Sequence, residues 1–238
     1  MRVRFRFSKV GKVRFTSHRD VARMWERAVR RTYLPIAYSE GFSPRPKMSF
    51  GLALPTGGES LAEFVDIDVV GDDYAVDDLP PRLSPLLPVG VEVSRAVVLT
   101  GPTVSLQADV MASSWVMQVG QISLPQAQDA VDAALASEIL MVSRDRKGAE
   151  SFDDVRPAIE SLEVAGAATD GQGVMLRART LLKPRGLRPG ELTQAVFAGA
   201  PLRRLVRTHQ WIERNGARVE LLPLDATALA PTLEVVSA

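Results

Sequence analysis

Cysteine is absent from all 238 residues, which removes disulfide frameworks, thiolate zinc sites, iron-sulfur clusters and cysteine nucleophiles from consideration. Histidine is nearly as scarce, with only His18 and His209, and they stand far apart in the chain. No metal site is expected. Asp66 and Asp68 share a strand face and would suit magnesium, yet they and the neighbouring Asp72, Asp73, Asp77 and Asp78 read better as a solvated acidic edge. No apolar run approaches the roughly 20 residues of a membrane span. The first six residues alternate apolar side chains with arginine instead of building the apolar stretch of a signal peptide. A soluble cytoplasmic protein without membrane association is the expectation. The G-G-E-S turn at 57–60 lacks the lysine and hydroxyl of a phosphate-binding loop, so no nucleotide cofactor, and no cofactor of any other kind, is expected.

What the chain has is a core and an uneven charge. An apolar content of 46% supports a packed interior in one large domain or two of about 100 residues each. The net charge is only +1, yet residues 1–50 hold 13 Lys/Arg against Asp20, Glu26 and Glu40, while the remainder holds 16 against 25. Clustered positive charge attracts phosphate backbones whatever the total charge. A polyanion-binding face near the N-terminus is the reading that follows.

The opening M-R-V-R-F-R-F-S-K has period two, a strand with Val3, Phe5 and Phe7 toward the core and an arginine ladder of Arg2, Arg4 and Arg6 on the other side. Ser17 and Asp20 in S-H-R-D form a relative of the capping box, and a basic amphipathic helix is expected from there to about Tyr33, ended by Pro35. Its apolar face is Val21, Met24, Trp25, Ala28 and Val29; Arg19, Arg23, Arg27, Arg30 and Arg31 recur at spacings of three or four. The Y-S-E-G-F-S-P-R-P-K stretch, 38–47, reads as a rigid basic loop. Strands at 48–54 and 62–70, a weak helix at 79–87 and a strand at 91–99 complete a βαββαβ order. The second part repeats that order with a strand at 106–119, a helix at 124–136, strands at 139–144 and 174–182, an extra strand at 159–164, a helix at 189–197 and a final strand at 202–212. The expected fold is therefore α+β, two tandem ferredoxin-like halves, 1–100 basic and 101–238 with extra strands.

Four stretches carry a resemblance. K-V-R-F-T-S-H-R-D from Lys12, Y-S-E-G-F-S-P-R-P-K-M-S-F-G-L-A-L-P-T-G from Tyr38, D-V-R-P-A-I from Asp154 and G-L-R-P-G-E-L from Gly186 resemble the radical-SAM-linked protein family, a bacterial group of uncharacterised function found beside or fused to radical S-adenosylmethionine proteins. The resemblance covers nearly the whole chain and implies a radical S-adenosylmethionine protein as partner. More distantly, the element order is similar to that of CRISPR repeat-processing endoribonucleases, some of which cleave with a histidine near the first helix. Their glycine-rich loop corresponds in place to Lys183–Gly190, which here is richer in proline than such loops usually are.

The candidate RNA contacts are Arg4, Arg14, Arg19, Arg23, Arg27, Arg30, Arg45 and Lys47, with Lys183, Arg185 and Arg188 in a second basic set that also includes Arg144, Arg146, Lys147, Arg177, Arg179, Arg203, Arg204 and Arg207. The helix row and the strand row are expected to meet at the 38–47 loop, where Tyr38 and Phe42 either stack on unpaired bases or plug the gap between helix and sheet. His18 is the one catalytic candidate. Neighbouring arginines and the helix N-terminus favour its neutral form, a general base toward a ribose 2′-hydroxyl with Arg45 or Lys47 stabilising the phosphorane; the alternative is a buttress for the helix start. Three functions stay open: a subunit presenting a structured RNA such as tRNA or rRNA to a radical S-adenosylmethionine enzyme, a metal-independent endoribonuclease, and a protein-binding adaptor.

Overall fold

A computed structural model of the chain describes residues 1–71, 74–101, 104–146 and 149–223. Asp72, Asp73 and Lys147 lie outside the described residues, as does the side chain of Arg146. The architecture is α+β, as the sequence pattern predicts. Contacts divide it into two compact units, one made of Met1–Asp109 with the stretch that starts at Glu220, the other of Val110–Val219.

The first unit runs β1 (Arg2–Lys9), α1 (His18–Arg31), β2 (Met48–Phe50), β3 (Glu59–Asp68), α2 (Leu79–Leu83), β4 (Val93–Leu99) and α3 (Leu106–Asp109). Strand β1 lies between β4 and β3, antiparallel to both, and β2 pairs with β3. Helix α1 starts where it does because the Ser17 hydroxyl accepts from the Asp20 amide at 3.1 Å and donates to the Asp20 carboxylate at 2.8 Å, which satisfies a donor the helix itself leaves open. Its stripe of Val21, Trp25, Ala28 and Val29 is buried. The indole of Trp25 meets Phe5 at 5.7 Å and Phe7 at 5.0 Å between centroids, so α1 packs on the apolar face of β1.

The opposite face of β1 is not the wet arginine ladder that the alternation predicts. Register sets Arg2 against Asp68 and Arg4 against Asp66. Arg4 and Asp66 are only 5% and 4% exposed and join through two parallel bonds of 2.7 and 2.9 Å. Arg6 is wholly buried; it lies 5.8 Å over the Phe64 ring, donates to the carbonyls of Leu61 and Leu222, and pairs with Glu220. A buried guanidinium is tolerated only with such partners. The acidic pair at 66 and 68 is likewise not a free solvated edge: Asp66 is buried, Asp68 is partly exposed, and both are counter-charges to β1.

The second unit runs β5 (Val110–Val119), α4 (Leu124–Ala136), β6 (Met141–Arg146), β7 (Ala149–Asp154), β8 (Ile159–Ala167), β9 (Val174–Leu181), α5 (Pro189–Val196), β10 (Leu202–Arg214) and β11 (Ala217–Glu220). Its sheet has the order β10-β5-β9-β8, antiparallel throughout. Two expectations exchange roles here. The strand expected at 139–144 as a ladder member pairs instead with β7 in a separate hairpin, and the strand expected as an extra at 159–164 is the edge member beside β9. Short polar strands close more cheaply on a near neighbour than on a distant one. The strand expected from Leu106 begins only at Val110, because Ser105 opens a turn of helix by accepting from the amides of Ala108 and Asp109.

Two stability measurements follow. Burial pushes the Glu220 carboxyl up and the Arg6 guanidinium down, in each case more than their attraction restores. The pair therefore matters less for net stability than for what its rupture exposes. Glu220→Ala, which leaves Arg6 buried without a carboxylate, should cost about 3–5 kcal/mol in urea unfolding, while Arg6→Met with Glu220→Leu should cost far less than the sum of the single changes. A single change costing under about 1 kcal/mol, the range of ordinary surface changes, would refute this account of the face.

Asp68 goes the other way. Its hydrogen bond to Arg2, then the charges of Arg2, Lys47 and the N-terminus, hold it below the ordinary carboxylate range. A depressed folded pKa contributes stability that is complete above the unfolded value of about 3.9 and is lost as pH falls through the folded one. The gap in melting temperature between the wild type and Asp68→Asn should accordingly be constant from neutral pH to about pH 5 and close below about pH 4. A gap that persists in acid would mean that Asp68 acts through packing.

Candidate nucleic-acid interface

Most of the cations that stay at the surface of the first unit come from α1 and the loop after it, with Lys12 and Arg82 elsewhere. Arg19, Arg23, Arg27, Arg30 and Arg31 are all exposed, on the side of the helix away from Trp25. Arg23 makes a 3.2 Å pair with Asp20, both side chains about half exposed, an arrangement worth little in water. Arg19, Arg27, Arg30 and Arg31 form no ion pair among the described residues. Arg14 is half-buried, 3.6 Å from Glu59, with its guanidinium 4.7 Å over the Phe15 ring.

The 38–47 loop is held as a closed turn. Tyr38 bridges to Pro46, the Ser39 amide donates to the Arg45 carbonyl at 2.8 Å, and the Arg45 amide donates back to the Ser39 hydroxyl at 3.0 Å. Gly41 supplies a φ of +118° at the tip, a value closed to other residues. Lys47 is tied at its amide to Ala37 and at its carbonyl to Asp68. On this frame Phe42 is 110% exposed and Tyr38 is 43% exposed, so Phe42 plugs no gap between helix and sheet. Arg45 and Lys47 are exposed, and Arg45 forms no ion pair among the described residues.

Two candidate contacts are withdrawn from the surface. Arg4 is sealed in its pair with Asp66. Arg185, three-quarters buried, lies 3.0 Å from Asp153 and 3.9 Å from Glu191, acids that also hold Arg144. Both are internal counter-charges, a role that sequence spacing does not distinguish from an exposed cation. In the second unit Lys183 and Arg188 are exposed, whereas Arg207 is buried, 5.5 Å over Trp115.

His18 is the first residue of α1 and exposed. Its ring meets Phe50 edge-on at 5.6 Å and forms no hydrogen bond among the described residues. It borders a cavity of about 10 Å³ shared with Lys9 and Glu63, room for one water, and the Lys9 ammonium is already spent on the carbonyls of Arg14 and Thr16. An imidazole without an orienting partner is not fixed for proton transfer. No group of three His, Asp or Glu among the described residues is placed to hold a metal ion. Sequence reasoning missed one further cluster, Trp211 with His209 and Arg179; the only signal was the alternation in T-H-Q-W.

The family model described as an uncharacterized protein conserved in bacteria, DUF2344, matches residues 2–189. The chain belongs to that family. The match takes in α1, the 38–47 loop and the second unit as far as the start of α5. No curated protein matches the chain. Among solved structures, the crystal structure of a Cbf5-Nop10-Gar1 complex is similar over 87% of this chain at 11% identity and a TM-score of 0.48; the chain spans about half, 48%, of the chain it matches there. No helix among the described residues is long and apolar enough to cross a membrane.

The loose setting of His18 gives a direct test. Purified protein incubated with total RNA in EDTA should yield no defined fragments. Fragments that appear with the wild type and vanish with His18→Ala would establish cleavage by this residue.

Proposed function

We propose that this family member is a cytoplasmic RNA-binding accessory protein that serves a separate radical S-adenosylmethionine enzyme in RNA modification or processing. The observation that carries the RNA reading is the exposed cation row of α1, in which Arg19, Arg27, Arg30 and Arg31 form no ion pair among the described residues, together with exposed Arg45 in the ordered loop, while Arg4 and Arg6 of β1 are neutralised inside. Uncompensated guanidiniums at a surface are the groups that displace counterions from a phosphate backbone. Contacts from such a row to phosphates would position RNA without reading its sequence. The fully exposed Phe42 beside them offers a face to a base. The enzyme partner rests on the resemblance of the four sequence stretches described above. We read each unit as a ferredoxin-like half, since β4-β1-β3-β2 and β10-β5-β9-β8 are the orders a βαββαβ unit produces. A protein-binding adaptor is the second reading, favoured by Phe42 alone, because a solvated aromatic at a rigid loop tip also suits a pocket in a protein.

Filter binding of labelled tRNA or ribosomal RNA across a salt series tests the first reading. Affinity should fall with log salt at about 0.7 per phosphate contact on single strands. Arg27→Glu with Arg30→Glu should lower affinity more than tenfold and flatten the slope, whereas Arg203→Glu, exposed in the second unit, should change it less than twofold. Equal losses from both, or binding indifferent to salt, would remove α1 as the contact surface. Arg45→Gln with Lys47→Gln should cost several-fold in affinity while stability stays within about 1 kcal/mol.

A further inference from the structure

We propose that the open face of the second unit's sheet is a binding site for an unpaired nucleotide, its base stacking on the planar group formed by Trp211, His209 and Arg179. This rests on the RNA reading for its biological source and adds a place and a chemistry to it.

The site exists because of a bulge. Along β10, Leu205 faces Met117 and Arg207 faces Trp115, both buried positions of β5. The register then slips between Arg207 and His209, so His209 sits opposite Ser114 and Trp211 opposite Ala112. One extra residue, Thr208, thus transfers the end of β10 from the buried face to the open one. There the His209 and Trp211 rings stack at 5.2 Å and 13°, and the Arg179 guanidinium from β9 lies 4.9 Å from the Trp211 ring centre. Ser114 fixes the group from β5: its hydroxyl accepts from the indole N–H at 2.8 Å and from Arg179 Nε at 3.4 Å. His209 is held through Nδ1 at 2.9 Å from the Thr208 hydroxyl.

Beside this pile the sheet is hollow. Ser161, Ala165 and Ala167 of β8 are small, and with the aromatic group they border a groove of about 820 Å³, the size of a site for a small molecule. The charged groups around it are Arg177, Arg179 and Arg218 against Glu160 and Glu163, a cationic excess of one. Arg177 and Glu163 pair at 3.4 Å with both side chains more than half exposed, a contact weak enough for a phosphate to replace. A ligand laid here must both cover the aromatic group and supply acceptors, because three guanidiniums share only the two carboxylates of Glu160 and Glu163. A nucleotide meets both demands, since its base has a π-face for imidazole, indole or guanidinium and its phosphate an anionic oxygen for Arg177. A paired helix hides its base faces, so the base must be unpaired.

The three tryptophans make the test direct. Trp25 is buried in the first unit, while Trp115 is buried but borders the groove, so Trp211 is identified as the reporter by loss of the signal in Trp211→Phe, which keeps Trp115. A short oligoadenylate should quench wild-type emission, the quenching should vanish in Trp211→Phe, and Trp211→Ala should weaken binding of the labelled strand at least fivefold by anisotropy. The same strand annealed to oligouridylate should bind without quenching. If the single strand binds while emission stays constant and Trp211→Ala binds like the wild type, the site is refuted and the RNA reading stands. If no RNA binds but adenosine monophosphate quenches Trp211, the RNA reading fails and the nucleotide site is retained. Neither ligand altering emission, or the duplex quenching as the strand does, overturns the proposal. Calorimetric unfolding of Trp211→Phe, expected near wild type, separates lost binding from lost fold.

Discussion

Everything in the first unit depends on how β1 disposes of its arginines. Most of β1 is buried on both faces, and the face away from α1 carries Arg2, partly exposed, with Arg4 and Arg6 buried. Burying a guanidinium without a partner is prohibitive, so the strand is viable only because Asp68 and Asp66 arrive in register on β3 and Glu220 returns from 214 residues along the chain. The local N-terminal pattern thus has no stable form by itself. A carboxylate near the C-terminus completes it.

That arrangement also decides what electrostatic field reaches solvent. Thirteen cations in the first fifty residues suggest a broad basic surface, yet Arg4 and Arg6 are cancelled inside, Arg2 is paired with Asp68, and Lys9 is absorbed by two carbonyls. What is left outside is chiefly a helical row and a short rigid loop, with Lys12 exposed and Arg2 and Arg14 partly so. The field is narrower than composition implies and more directional, with the exposed arginines one helical turn apart. An ordered loop has little backbone freedom left to lose, so its cations are held in place by the frame of the turn.

The sequence was legible where period and burial agree. The alternation of β1, the stripe on α1 and its Ser17 cap stand where the pattern puts them, as do helices α4 and α5. It was illegible where a polar side chain is buried by something distant. Arg4 and Arg27 look alike in a sequence, and nothing local marks one as sealed by Asp66 and the other as outside any ion pair among the described residues. The exchange of roles between β6 and β8 has the same cause, because whether a polar strand joins a sheet or folds back on its neighbour depends on partners that period alone does not name.

The bulge at Thr208 is the sharpest case. Strict alternation would put Leu205, Arg207, His209 and Trp211 on one face, and a tryptophan in series with a leucine reads as core. The slipped register breaks the series, so that Arg207 goes inward to Trp115 while His209 and Trp211 emerge beside Arg179. A large aromatic left on an open sheet face forgoes the stabilisation that burial would supply, and here Ser114 fixes the indole in place instead of covering it.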